Sequence, residues 1–414
     1  MYFISARAQF NNFVSVQLSM DDNIERIVLI REFDEARDNE VVEKLEKNCE
    51  IGSKKGISIY SNMMGDPLGR IRLYPVHIML VAELLKNGEI VGVVRGCIKL
   101  VGTCSQSAHV KMGCILGLRV SPRHRRKGIA LLLVKSIEEW MMRNEAQYTC
   151  VATDQNNFAS IKLFNEKCNY VKLSSLVIYV LPVRFQAKDL SHDIHIEKLH
   201  VEQAISLYKN RLRGKDMHPM DIDAILKENL SLGTWVSYFK EEQWIGLDNR
   251  EKGDDFGRRT PSSWAVISVW NTSEVYKLQI RRPYPFQFLH ATLSHAKEFM
   301  FPCLKIPILA SFHKPFGFLF LYGLDGQGER LGKLIMALWN FASRVAENVK
   351  DCKMIMTELG VNDPLKEYFS NASSKSFIDD LWYLKKLKNG PTEDEDELTM
   401  TGFAENVFVD PRDF

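Results

Sequence analysis

The chain has 414 residues, 45% of them hydrophobic and 26% charged, and a formal net charge of +2. That length amounts to two or three domains, and the composition is that of soluble globular protein, which excludes a largely disordered or fibrous chain. So small a net charge gives no general attraction for nucleic acid, and any basic site has to be local.

Regular patterning begins at Ile24-Glu25-Arg26-Ile27-Val28-Leu29-Ile30-Arg31, a short alternating strand, so residues 1–23 are expected as a flexible extension. Helical spacing follows at Val41, Val42, Leu45 and Cys49 and breaks near Gly52. Two apolar runs, 76–83 and 90–95, flank Lys86-Asn87-Gly88, and Asn-Gly between such runs predicts a hairpin. The next strand, Cys114-Ile115-Leu116-Gly117-Leu118-Arg119-Val120, passes through Ser121-Pro122 and a basic loop into a helix over 129–143 with an apolar face at three- and four-residue spacing. A strand at 148–153, a helix at 159–167 and a strand at 175–181 complete a mixed α/β sheet over residues 24–183.

Residues 184–192 are polar and predict a linker, after which the order repeats over 193–388. A strand at 194–199, helices at 201–211 and 221–230, and strands at 233–239 and 264–270 around a charged insertion come first. A strand at 316–324, a helix at 333–349 and strands at 352–359 and 377–387 follow. This reads as a second, diverged copy of the same architecture, with an unrelated α/β domain as the alternative. Trp235, Trp264 and Trp270 are expected in its core rather than in a ligand cage. Residues 389–414, which include Glu393-Asp394-Glu395-Asp396-Glu397, are expected as an acidic, disordered tail.

The segment Arg125-Arg126-Lys127-Gly128-Ile129-Ala130 joins a buried strand to a helix. A helix N-terminus leaves N–H groups unpaired and carries about half a positive charge, which suits a diphosphate. Gly128 lets the backbone approach the oxygens, Ala130 keeps the second turn clear, and the three cations stand at the mouth. A plain basic patch for nuclear import or nucleic acid would need neither Gly128 nor a buried strand before it.

This R-x-x-G-x-A pattern after a strand ending Val120-Ser121-Pro122 resembles the pyrophosphate motif of the GNAT acetyltransferases. Asn157-Phe158-Ala159-Ser160-Ile161-Lys162-Leu163-Phe164, continuing to Tyr170, is similar to the family's second signature, and the hairpin with Val91-Gly92 is similar to what precedes its cofactor strand. Within the family, Arg95-Gly96-Cys97-Ile98-Lys99, Gly65-Asp66-Pro67 and the tandem layout resemble the hookless-type plant N-acetyltransferases. The implied fold class is therefore a mixed-sheet α/β GNAT acyl-CoA N-acyltransferase fold in tandem.

The resemblance implies two strands splayed around a pantetheine arm, with acetyl-CoA as co-substrate and no metal. It assigns Leu118, Arg119, Val120, Arg125, Arg126, Lys127, Gly128, Ile129, Ala130 and Asn157 to that co-substrate. The reaction is direct attack of an amine on the thioester, with a backbone N–H at Leu118 facing the oxyanion. A lysine acceptor with a pKa of about 10.4 must lose a proton at a cost of roughly 4.6 kcal/mol at pH 7, so a base is needed. The cofactor strand holds no acidic residue; Glu83, His109 and Asp154 are the candidates, and Asp154 is preferred because it follows the second splayed strand. Phe164 stands where the family's usual tyrosine acid would be, and Tyr170 is expected in the core.

In the second copy Gln327-Gly328-Glu329-Arg330-Leu331-Gly332 imitates the loop, but Arg330 stands where the first glycine would be and Glu329 repels phosphate, so loss of cofactor binding is expected there. Eight cysteines without a C-x-x-C pair read as buried thiols in a reducing compartment, not as a zinc site. No apolar run approaches the roughly 18 residues of a membrane span, and Arg7, Gln9, Asn11 and Asn12 interrupt any secretory signal, so a cytosolic or nuclear protein is expected. The functional expectation is acetyl transfer to an amine, a lysine or a chain terminus, with a protein or histone tail among the acceptors. The alternative is an acetyl-CoA-binding regulator with little turnover; direct nucleic-acid binding ranks last.

Overall fold

The computed structural model describes residues 14–18, 27–54, 57–102, 109–183, 191–242, 261–281, 312, 314–370, 378–387 and 407–414. In its first half, β1 (Val14–Leu18) and β2 (Ile27–Glu32) precede α1 (Glu35–Lys47), β3 (Glu50–Lys54), β4 (Ile57–Asn62), β5 (Val76–Leu84), β6 (Glu89–Gly102) and β7 (His109–Val120). Then come α2 (Ile129–Arg143), β8 (Tyr148–Asp154), α3 (Phe158–Lys162), a π-helical turn at Leu163–Lys167 and β9 (Val171–Pro182). The second half holds β10 (Ile194–Lys198), α4 (Val201–Arg211), β11 (His218–Pro219), α5 (Ile222–Lys227), β12 (Ser231–Phe239), β13 (Trp264–Asn271) and β14 (Lys277–Arg281). It ends with β15 (Gly317–Gln327), α6 (Leu331–Glu347), β16 (Cys352–Gly360), α7 (Lys366–Ser370) and β17 (Ile378–Lys386).

Local chemistry sets several of these boundaries. Asp34 caps α1 by accepting from the N–H groups of Ala36 and Arg37. The turn between β5 and β6 takes Gly88 at φ +68°, as the Asn87-Gly88 pair predicts. Leu133, Val134, Ile137 and Met141 form the buried face of α2, and Leu334, Leu338 and Ala342 that of α6.

One sheet runs through both halves in the order β1-β2-β5-β6-β7-β8-β17-β9-β16-β15-β13-β12-β10, with β11 attached to β6. The halves repeat each other about the middle of this list. β7 and β8 are parallel, as are β15 and β16, and the closing strands are exchanged: β17 of the second half pairs with β8, and β9 of the first half pairs with β16. The expected second copy is therefore present, but neither half closes its own sheet. A smaller sheet, β14-β4-β3, crosses between the halves as well, with Lys277 opposite Asn62 and Arg281 opposite Ser58.

Two corrections follow. The expected flexible extension contains β1, which pairs with β2 from Val14↔Arg31 to Leu18↔Ile27. The expected disordered tail ends in a packed segment: Val407, Phe408, Val409, Asp410 and Arg412 are buried, and Arg412 pairs with Asp410 and Asp221, each at 2.7 Å. Composition alone misjudges that segment because its few apolar residues follow an acidic block; the block itself, 393–397, lies outside the described residues. So do residues 184–190 of the expected linker and the insertion at 243–260. Trp235, Trp264 and Trp270 are core residues.

Candidate active site

The β7–β8 ladder pairs Met112↔Tyr148 through Ile115↔Val151 and then stops, so residues 116–120 and 152–154 diverge. On its other side, β7 bulges against β6 between Val93↔Arg119 and Arg95↔Leu116. Gly117 takes φ +60° there, and a side chain on it would meet the guanidinium of Arg95 at 2.6 Å. Arg95 is fully buried and holds Glu46 of α1 through two hydrogen bonds of 2.6 and 2.9 Å, so the bulge is locked from behind. β15 repeats the device: Gly323 at φ +63° lies in a bulge against β13, and the β15–β16 ladder stops at Leu321↔Thr357.

The first splay opens into a cavity of about 890 Å³. At one end stands α2, whose N-cap Gly128 has φ +78° and no atom within 4 Å of where a Cβ would be. No acidic side chain and no side-chain cap occupies the first turn of α2. Leu118, Arg119, Val120, Arg125, Arg126, Gly128, Ile129, Ala130 and Asn157 line this end together. Lys127 does not line it; its ammonium reaches the carbonyl of Arg123 at 3.1 Å. Asn157 has a structural duty too, capping α3 by accepting from the N–H of Ser160. Arg119 is partly buried, its Nε has no hydrogen-bond partner among the described residues, and burial pushes its guanidinium down to about 10. A cation so placed favours an anionic or carbonyl-rich ligand.

Of the three candidate bases, the structure brings only Asp154 to the cavity. Glu83 is bound by Arg31 at 2.6 Å and Arg37 at 2.8 Å, an ion cluster that fastens α1 to β5. His109 is exposed at the start of β7. Asp154 lies directly across from Asp380 of β17, which also lines the cavity, and accepts from the backbone and side chain of Asn156. Phe164 is buried against the cavity, and Tyr170 is a core residue edge-on to it at 5.2 Å.

The opposite wall comes from the second half and the C-terminal segment. Glu358 on β16, Asp380 on β17 and Asp413 all face the cavity, beside aromatic residues that include Tyr276, Phe316 and Trp382. Glu358 is buried, and its Oε1 has no hydrogen-bond partner among the described residues. Burial, then the charge of Asp380, pushes its carboxyl well above the usual carboxylate range. Asp413 is pushed up to about 6, with burial outweighing the opposing ammonium of Lys99. Tyr74 donates to Asp413 at 2.5 Å, Lys99 bonds to it, and Arg70 grips the carbonyls of Asp413 and Phe414. Sequence reasoning missed this wall because its carboxyls lie about two hundred residues or more beyond the loop, on strands that only the exchanged topology brings here.

The second splay is filled. The hydroxyl of Tyr208 donates to the carbonyl of Gly323 at 3.1 Å, and the ring of Phe408 packs against Tyr208 and Tyr322. Arg330, the N-cap of α6, lies over the ring of Phe239 at 3.6 Å and pairs with Glu241 at 2.7 Å. Arg330 thus occupies the place that Gly128 leaves open at the first helix.

A family model described as the Acetyltransferase (GNAT) family matches residues 60–170. A relative from Arabidopsis thaliana named "Probable N-acetyltransferase HLS1" is 35% identical over 94% of this chain and 100% of its own length. The chain belongs to the GNAT acetyltransferase family. A second GNAT relative from the same plant, named "Probable N-acetyltransferase HLS1-like", is 33% identical over 94% of this chain and 99% of its own. From Oryza sativa subsp. japonica, "Acetyl transferase GW6a" is 29% identical over 94% of this chain and 98% of its own. Among solved structures, Saccharomyces cerevisiae N-myristoyltransferase with bound myristoyl-CoA shares the GNAT tandem fold, at a TM-score of 0.55 and 11% identity, covering 88% of this chain and 83% of that one. No helix among the described residues is long and apolar enough to cross a membrane.

Proposed function

We propose that this protein transfers the acetyl group of acetyl-CoA to a cationic amine, a protein lysine or chain terminus, within the cavity of the first splay. The diphosphate sits on the N-terminus of α2 beside Gly128, with Arg125 and Arg126 at the mouth. The pantetheine arm takes the place of the missing β7–β8 rungs beyond Ile115↔Val151, bonding to the backbone of 118–120 as an added strand would. The N–H of Leu118, in the bulge, faces the thioester carbonyl and stabilises its oxyanion.

One observation carries this reading: a single cavity is lined both by Arg125, Arg126 and the N-terminus of α2 and by the carboxyls of Asp154, Asp380, Glu358 and Asp413. An ammonium entering from the acidic side meets Glu358, whose raised proton affinity suits it to take the amine's proton before attack. Glu358 therefore replaces Asp154 as the favoured base.

Phe164 supports a second reading, in which acetyl-CoA is held with little turnover. A phenyl ring cannot protonate the departing thiolate, so water has to do so. Thermal melting with acetyl-CoA tests binding in both readings, and release of free thiol with lysine and N-terminal peptides decides between them. Binding without thiol release over a broad peptide set would overturn the enzymatic reading; no binding would overturn both.

A further inference from the structure

Three cysteines sit side by side on three adjacent strands. Cys97 of β6 pairs in register with Cys114 of β7, and Cys114 with Cys150 of β8. All three are buried, at 0%, 2% and 7% exposure. The sulfur of Cys150 is 3.2 Å from that of Cys114. The ligand atoms of Cys97, Cys114 and Asp413 all lie within 4.8 Å of one another. Strands and C-terminal segment thus bring three soft or anionic donors to one point, with the thiol of Cys150 next to that of Cys114.

We infer that Cys97, Cys114 and Asp413 form a binding site for a zinc-class divalent ion, with the thiol of Cys150 beside it. Thiolates with one carboxylate are a donor set for a tetrahedral d¹⁰ ion, with Zn–S near 2.3 Å and hence donor–donor edges of about 3.8 Å. Separations of up to 4.8 Å among these three donors need side-chain rotations of only about an ångström to reach that edge. The surroundings of the carboxylate are those of an outer shell: Tyr74 donates to Asp413 at 2.5 Å and Lys99 bonds to it. Lys99 also reaches Asp410 at 3.5 Å, and its charge offsets the excess negative charge of two thiolates and a carboxylate on a dication. Cys114, Cys150 and Asp413 line the large cavity, which supplies the entry path that a buried site requires. The bound ion would tie residue 413 to β6 and β7 at the floor of the splay. Sequence spacing conceals the site because its ligands are 17 and 299 residues apart.

The test is titration of reduced, chelator-stripped, full-length protein with Co²⁺, read by absorbance. The inference requires near-ultraviolet thiolate-to-cobalt charge transfer and visible bands of tetrahedral cobalt that saturate at one equivalent and disappear when Zn²⁺ is added. Cys97→Ser and Cys114→Ser should each weaken binding at least tenfold, while Cys352→Ser, remote on β16, should leave it unchanged. Circular dichroism on each variant separates lost ligation from lost fold, and Asp413→Asn offers a ligand change that removes no sulfur and should also weaken binding. A folded wild-type protein without the cobalt bands, or bands that survive Cys97→Ser and Cys114→Ser together, would overturn it. Acetyl-CoA binding plays no part in this measurement, so the outcome is independent of the transferase reading.

Discussion

Substitution of Gly128 isolates the contact on which donor binding depends. The residue caps α2 at φ +78° with open space where a side chain would project. Gly128→Ala therefore meets no clash and costs about 1–2 kcal/mol for the left-handed conformation alone. Gly128→Asp carries the same conformational cost, partly offset by about 0.3–1 kcal/mol from a carboxylate at a helix N-terminus. The free protein should thus stay folded, with a melting temperature a few degrees lower at most. A diphosphate about 4 Å from that carboxylate is a different matter: each unit charge costs about 4 kcal/mol at an effective dielectric near 20, a loss of about a thousandfold in affinity. At a ligand concentration of about 100 times the wild-type dissociation constant, stabilisation of about 2.7 kcal/mol should fall to about 0.1 kcal/mol or less. Differential scanning fluorimetry with acetyl-CoA reads both quantities. A folded Gly128→Asp protein with the full wild-type shift would refute the placement of the diphosphate.

Glu358→Gln should lower acetyl transfer by about a hundredfold or more while leaving the acetyl-CoA melting shift intact. The same variant should gain stability relative to wild type above neutral pH. A carboxyl raised by burial contributes most below its unfolded value of about 4.5 and loses that contribution as pH rises through the folded value, and a neutral amide avoids the loss; melting curves from pH 5 to 9 check the sign. Phe164→Tyr places a hydroxyl at the cavity wall and should raise turnover about tenfold if thiolate protonation limits the rate, with no gain if it does not. Arg31→Met should destabilise by about 3–5 kcal/mol, because it leaves Asp38 buried without its bidentate partner at 2.6 and 2.8 Å. Burial alone would raise the Asp38 carboxyl, but the bonds from Arg31 and the N–H of Asp34 hold it below the usual value. That stability is present above pH 3.8 and lost as pH falls through the lowered value, so acid unfolding of Arg31→Met should begin at higher pH than in wild type.

The sequence alone determined the parts of this protein whose signals are local. Helix α2 spans the predicted 129–143 and α4 the predicted 201–211, because an apolar face at helical spacing is legible wherever the helix packs. The Asn87-Gly88 hairpin and the strand–loop–helix around Gly128 are equally local, since each depends on the backbone freedom of a glycine within a few residues. Glycines at φ +60° and φ +63° in two matching bulges confirm the diverged repeat that the order of elements suggested.

Tertiary structure decided what depends on partners far apart in the chain. β3 and β4 are short strands that pair with each other, and the third strand of their sheet, β14, arrives from more than two hundred residues away. The exchange of β9 and β17 has no signature in either strand, since both read as ordinary closing strands and only the whole sheet selects their neighbours. That exchange carries Glu358 and Asp380 to the cavity, and the segment after the acidic block lies against the thiols of β6 and β7. Propensity and spacing act over a few residues, whereas a buried carboxyl or a ring of ligands is defined by which strands lie side by side.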